Sequence, residues 1–307
     1  MQRPTSSQPS VPFTPDFFIV GAPKCGTTAL AGFLAKHPVV QFSRYKEPHF
    51  FCTDLDWRIV KTEREYADLF DIPKKVHAEG QKRLTGEASV FYLMSKDAIK
   101  NIETRGTEPR YIVTLRHPAE LVRSLYFENR KAGDERHKSL AAAWDGQESF
   151  ANVGHRNPAA MRYRDVGRLG EQVARILNQI PRERLHFVFH SDFLKNPRQT
   201  YLEILAFLGL PDDGRREFPI ENESHDYHSQ TYNRLITVVS DVLGPTFRFR
   251  QSFRVVARML RLFNVKVPLA TERQQPGVYA QMVTYFESDI RLLARLLNRN
   301  LDEWLER

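Results

Sequence analysis

FFIVGAPKCGTTAL, residues 17–30, is the stretch that decides how this chain is built. Phe17, Phe18, Ile19 and Val20 are four consecutive apolar residues and read as a short buried strand. Gly21-Ala-Pro-Lys-Cys-Gly26 is a loop bracketed by glycines, and Thr27-Thr28 opens a helical run. At such a strand–loop–helix junction the backbone N–H groups converge on one point, and the helix dipole adds partial positive charge there. The occupant these features call for is a phosphate or a sulfate.

The nearest general pattern is the nucleotide-triphosphate loop GxxxxGK[ST]. The spacing of Gly21 and Gly26 and the hydroxyl of Thr28 match it, but Thr27 stands where that pattern has lysine. The cation of the loop is Lys24, inside it. That moves the positive charge from the top of a long triphosphate to the side of a shorter anion. Taken alone, the segment leaves open a divergent kinase loop or a glycine turn of purely structural origin.

The chain has 307 residues, 41% of them hydrophobic, enough to bury a sizeable core as one large domain. The formal charge is +8 and the isoelectric point near 9.5, which admits polyanionic partners of several kinds. The basic residues are interspersed among 37 acidic ones without a long Lys/Arg run, so a nucleic-acid partner is not expected. A basic cleft for a doubly phosphorylated nucleotide accounts for the balance. Cys25 and Cys52 make no disulfide framework and no zinc spacing. Cys25 reads as a small side chain filling the loop. No apolar run approaches a membrane span, and residues 1–15, rich in Pro, Ser and Thr, read as a flexible tail without a signal-peptide core. The expectation is a soluble cytoplasmic protein with one domain over 16–307.

Strand candidates are 17–21, 39–42, 110–116 and 185–190, alternating with helical segments at 27–36, 63–71, 95–103, 118–132, 168–179 and 197–208. That alternation predicts an α/β fold: a central parallel sheet flanked by helices, with a helical C-terminal third from residue 229 onward. Ligands of such sheets bind at the carboxyl ends of the strands, so the loops after 17–21, 39–42 and 110–116 should meet. In the second of these loops Lys46, Glu47 and His49 stand among aromatics, and either Glu47 or His49 has the chemistry of a general base. Alone, the same residues also fit a Glu–Lys surface pair with a capping histidine. The third loop begins at Arg116; Pro118 takes the favoured first position of a helix and Ser124 follows two turns in. An arginine fork and a helix hydroxyl suit a phosphate, although an arginine at a strand end is also an ordinary solvated terminus.

Taken together, FIVG followed by PKCGTT resembles the 5′-phosphosulfate loop of the sulfotransferases, which draw on 3′-phosphoadenosine 5′-phosphosulfate (PAPS) as sulfuryl donor. Arg116-His-Pro118 with Ser124 eight residues after the arginine resembles the 3′-phosphate motif of that family, and Glu47-Pro-His-Phe-Phe51 resembles the E-x-H-F-F loop of its saccharide-modifying members. The resemblance implies a P-loop-type fold. It also implies donor binding by Lys24, Cys25, Gly26, Thr27, Thr28, Arg116 and Ser124. Glu47 is implied as the catalytic base, His49 as its partner or a substrate contact, and Lys24 as the cation on the leaving group. Thr85-Gly-Glu-Ala-Ser-Val-Phe-Tyr92 is similar to a further family segment, but Ala88 stands in place of a second lysine and Val90 in place of proline. Lys46 is the candidate to make up for that cation, and Glu87 and Ser89 are candidate substrate contacts. Residues 190–210 and the closing helical segment are similar to family segments as well, with Ser191 in place of the usual glutamate.

No metal is expected, since the leaving phosphate is already cradled and no acidic Mg²⁺ pair follows a strand. The expected acceptor is a saccharide or small-molecule alcohol, with PAP as by-product. A P-loop kinase using ATP and Mg²⁺, or a non-catalytic nucleotide-binding module, are the competing functions. Residues 247–263 alternate apolar and arginine faces. They read as a core-packed helix with a solvated arginine face, or as a peripheral membrane or acceptor contact.

Overall fold

The computed structural model describes residues 12–55, 58–70, 83–149, 157–219, 225–227, 266–268 and 276–306. Its centre is a five-stranded sheet in the order β2-β3-β1-β4-β5. The strands are β1 (Phe17–Gly21), β2 (Val40–Phe42), β3 (Leu84–Ala88), β4 (Arg110–Leu115) and β5 (Leu185–Phe189). Every neighbouring pair is parallel.

Side chains alternate across a strand, and β1 uses both faces. Phe17 and Ile19 join Leu30, Leu34, Ile112, Ile204 and Leu208 on one side, where α1 (Thr27–Ala35) and a later helix, Pro197–Leu208, pack. Phe18 and Val20 join Tyr111, Val113, Leu125, Val173 and Phe286 on the other. A sheet covered on both faces has no solvent-facing residues to alternate. That is why FFIV is continuously apolar.

The remaining helices are α2 (Glu63–Asp68), α3 (Ala98–Glu103), α4 (Pro118–Ala132), α5 (Leu140–Asp145), α6 (Tyr163–Gly167), α7 (Leu169–Leu177), α8 (His190–Lys195), α9 (Pro197–Leu208) and α10 (Pro276–Leu297). α4 and α9 run where the sequence predicts, because each opens on proline and closes on a glycine of positive φ, Gly133 at 81° and Gly209 at 70°. α3 starts three residues later than expected: the Ser95 hydroxyl takes the Asp97 and Ala98 amides, at 3.2 and 3.0 Å, and holds 95–97 as a turn.

Two further features depart from the sequence expectation. β3, LTGEA, is not among the apolar strand candidates. It belongs to the sheet because the Phe17 ring lies over Gly86, where a Cβ would fall 2.2 Å from the ring. The C-terminal third is helical over α10, as read, but a short strand β7 (Lys266–Pro268) lies before it and pairs antiparallel with β6 (His225–Tyr227). The proline at 268 disfavours helix at the residue before it. The basic stretch 247–263 lies outside the described residues.

The chain leaves β1 for β2 and β3 on one side and reaches β4 and β5 on the other. The carboxyl end of β1 is therefore the switch point of the sheet, where a crevice opens between diverging loops.

Candidate active site

At the end of β1, Gly21 has φ 130°, and a Cβ there would lie 2.3 Å from the Val90 carbonyl oxygen. Only glycine lets the loop press this closely on the segment after β3. The Ala22 amide donates to the Thr114 carbonyl at 2.7 Å, and the Thr114 hydroxyl donates to the Gly21 carbonyl at 3.0 Å, so β4 braces the start of the loop. Gly26, φ 85°, is the cap residue of α1. The first amides of α1 have no partner within the helix, and Gly26, Thr27 and Thr28 line the crevice. Cys25 turns away from it: the thiol is buried, donates to the Pro23 carbonyl at 3.3 Å, and is pushed up to about 12 by burial. It fills the loop.

Arg116, at the end of β4, donates through Nη1 to the Lys24 carbonyl at 3.2 Å and through Nη2 to Glu120 at 3.2 Å. Lys24, Gly26, Thr27, Thr28, Arg116, Ser124 and Glu47 all line a single cleft of about 360 Å³. Three chain segments, separated by some twenty and some seventy residues, thus place their unusual side chains around one cavity.

Glu47 sits in a tight turn after β2, with φ 65° at Glu47 and 50° at His49. Its amide donates to the Ala88 carbonyl at 2.8 Å. Lys46 pairs with its Oε1, and His49 Nε2 lies 3.7 Å from its Oε2. Burial pushes this carboxyl up, but the hydrogen bonding of His49 and the charge of Lys46 outweigh it, and the result is about 2. Glu47 is an ionised carboxylate throughout the neutral range. His49 is buried and lies behind Glu47, its pKa held below 6.5 chiefly by that burial. Its ring is therefore neutral at pH 7.

Behind the turn is a polar knot. Ser89 accepts the His49 amide at 3.0 Å; Glu87, fully buried, accepts the hydroxyls of Tyr66 at 2.6 Å and Tyr92 at 3.1 Å. Neither Glu87 nor Ser89 is among the cleft-lining residues, and Lys46 enters the site through its pair with Glu47. Burial raises the Glu87 carboxyl to about 7, against hydrogen bonds from Ser89, Tyr66 and Tyr92 that lower it. Its folded value lies above the ordinary 4.5, so the native state holds an extra proton between these values and loses stability as pH rises through them. Glu87→Gln carries no such cost. Wild type should fall relative to this variant by up to about 3 kcal/mol between pH 4.5 and 7, as read from urea unfolding at both pH values. Parallel curves for the two proteins would refute a protonated Glu87.

Four further cleft-lining residues carry little or no mark in the sequence: Glu128, His190, Asn157 and Asp134. Glu128 Oε2 lies 3.2 Å from Lys24 Nζ; it is four residues beyond Ser124, one turn along the same face of α4, a spacing that carries the signal. His190, at the start of α8, also lines the cleft. It approaches Gly26, where a Cβ would be 3.3 Å from its ring, and burial with Arg116 nearby lowers it to about 4. It follows directly on β5, where the strand-end rule points. Asn157 and Asp134 reach the cleft from loops, and no local pattern marks them. Among the described residues no cluster of three or more His, Cys, Asp or Glu side chains is arranged to hold a metal ion, and no helix is long and apolar enough to cross a membrane.

Residues 14–235 match the family model of the sulfotransferase domain. The chain belongs to the sulfotransferase family. This sulfotransferase is 32% identical to carbohydrate sulfotransferase 15 of Mus musculus over 170 residues, 42% of this chain and 30% of that one. It is 25% identical to a human bifunctional heparan sulfate N-deacetylase/N-sulfotransferase 3 over 211 residues, 64% of this chain and 22% of the relative. The sulfotransferase thus spans less than a third of the length of either relative. Among solved structures, a sulfotransferase from Alicyclobacillus acidocaldarius superposes with a TM-score of 0.67 at 26% identity, covering 96% of this chain and all of that one.

Proposed function

We propose that this sulfotransferase moves the sulfuryl group of PAPS to an acceptor hydroxyl, with a sugar or natural-product alcohol as acceptor. One observation carries the reading: Lys24, the start of α1, Arg116, Ser124 and Glu47 line the same cleft. In the reaction the acceptor oxygen forms a bond to sulfur while the bond from sulfur to the 5′-phosphate oxygen breaks. Negative charge grows on that phosphate oxygen, and Lys24 with the loop amides offers donors where it grows. Arg116 and Ser124 hold the 3′-phosphate. The acceptor proton passes to Glu47, which Lys46 and His49 keep ionised and ready. Its low proton affinity means the proton moves late, once the new S–O bond has made the hydroxyl acidic. Saccharide acceptors are supported by the relatives whose names are carbohydrate and heparan sulfate sulfotransferases.

Calorimetric titration of metal-free protein with PAP, against ATP with Mg²⁺, tests the donor half. PAP should bind without metal. Arg116→Ala should weaken it by roughly 10- to 150-fold, the worth of about 1.5–3 kcal/mol for a charged hydrogen-bonding group. Preference for ATP with Mg²⁺ would return the loop to the kinases, and binding of neither would leave a non-catalytic module.

A further inference from the structure

The family match ends at residue 235, yet residues 276–305 are fastened at two points beside cleft-lining residues, next to Arg116 and near His190. On one side the tie is His117, the residue between Arg116 and Pro118. Its Nδ1 accepts the Ala119 amide at 3.1 Å and so caps α4. Its Nε2 lies 2.9 Å from the Trp304 carbonyl oxygen. A carbonyl only accepts, so Nε2 carries the proton and Nδ1 the lone pair: the ring is neutral, in one tautomer. Tyr279 of α10 stacks on the imidazole with centroids 5.5 Å apart, and the Trp304 ring lies at 5.7 Å. On the other side Arg299 makes two bonds to Asp192, at 2.6 and 2.9 Å, with its guanidinium 3.8 Å over the Phe189 ring. Asp192 is two residues from His190. Among the described residues, none of 276–305 lines the cleft itself.

We infer that His117 is a positioning residue for the 3′-phosphate: its ring rivets the first turn of α4 to the C-terminal segment and thereby fixes where Arg116 presents its guanidinium. The inference rests on the donor reading above. A helix start held only by its cap is free to fray. Here the cap is itself clamped, by a carbonyl below and an aromatic ring alongside. The cation that must meet a phosphate lies one residue away.

PAP and 5′-AMP differ only in the 3′-phosphate, so the ratio of their dissociation constants isolates that group. The ratio is measured by calorimetry on the full chain as wild type, His117→Ala, His117→Asn and Tyr279→Ala. His117→Ala should lower it by about tenfold, the loss of one well-placed charged hydrogen bond. His117→Asn should keep it within about threefold of wild type, because asparagine still caps a helix and still donates. A merely weakened fold would loosen both nucleotides alike and leave the ratio unmoved. If His117→Ala does not fold, Tyr279→Ala, which removes the stack and leaves the cap, decides. An unchanged ratio in the folded variants overturns the inference. Should wild type bind PAP no better than 5′-AMP, the donor reading fails, and the rivet is judged by hydrogen exchange alone. Faster exchange of residues 118–124 and 301–305 together in His117→Ala supports it; unchanged protection in both overturns it.

Discussion

Lys24→Ala is expected to lower sulfuryl transfer by about two to three orders of magnitude, the usual loss when one donor to a developing oxyanion is removed. The loop carries no other lysine, and residue 88, where the family resemblance leads one to expect a second, is alanine. Lys24 is also tied to Glu128 across the cleft, so its ammonium is placed before any ligand arrives. Arginine at this position should restore little, since a planar fork does not reproduce a compact point charge. The measurement is the rate of PAP formation from PAPS with an alcohol acceptor found by screening. A variant within tenfold of wild type would remove Lys24 from the chemistry.

Glu47→Gln is expected to cost about 10²- to 10⁴-fold in turnover while PAP affinity stays within about twofold, because Glu47 contributes nothing to the phosphate-binding groups. The pH profile sharpens this. With its carboxyl at about 2, Glu47 produces no acid limb in kcat between pH 4 and pH 8; the base is already in its active form. His49, lowered from 6.5 by its burial, would as the base bring an acid limb that falls below pH 6.5. Near-normal turnover of Glu47→Gln together with such a limb would transfer the role of base to His49.

How far these residues could be read without a structure depended on how local their signals are. Gly21 to Thr28 is a contiguous pattern whose backbone requirements are written in its glycines. Arg116, Pro118 and Ser124 are joined by the fixed geometry of one helix. α4 and α9 announce both ends with proline and glycine. β3 was hidden because its sheet position depends on Phe17, some seventy residues away, filling the space above Gly86. Glu87 is a carboxylate beside a candidate loop, and the hydroxyls of Tyr66 from α2 and Tyr92 engage it in a buried knot instead of the cleft. Asn157 and Asp134 enter the cleft by tertiary placement alone. The bracing of His117 by Tyr279 and Trp304 likewise joins residues about 160 to 190 positions apart, a relation that no motif spells out.

The bond from Arg116 to the carbonyl of Lys24 ties the two parts of the cleft proposed to hold the donor's anions into one piece. For the proposed donor, the sulfate end and the 3′-phosphate end are then gripped by jaws whose opening is preset, as in a caliper. A nucleotide whose charged ends are spaced differently meets one jaw or the other but not both. Selectivity among adenine nucleotides would thus be a measurement of length, made before any base or sugar is inspected.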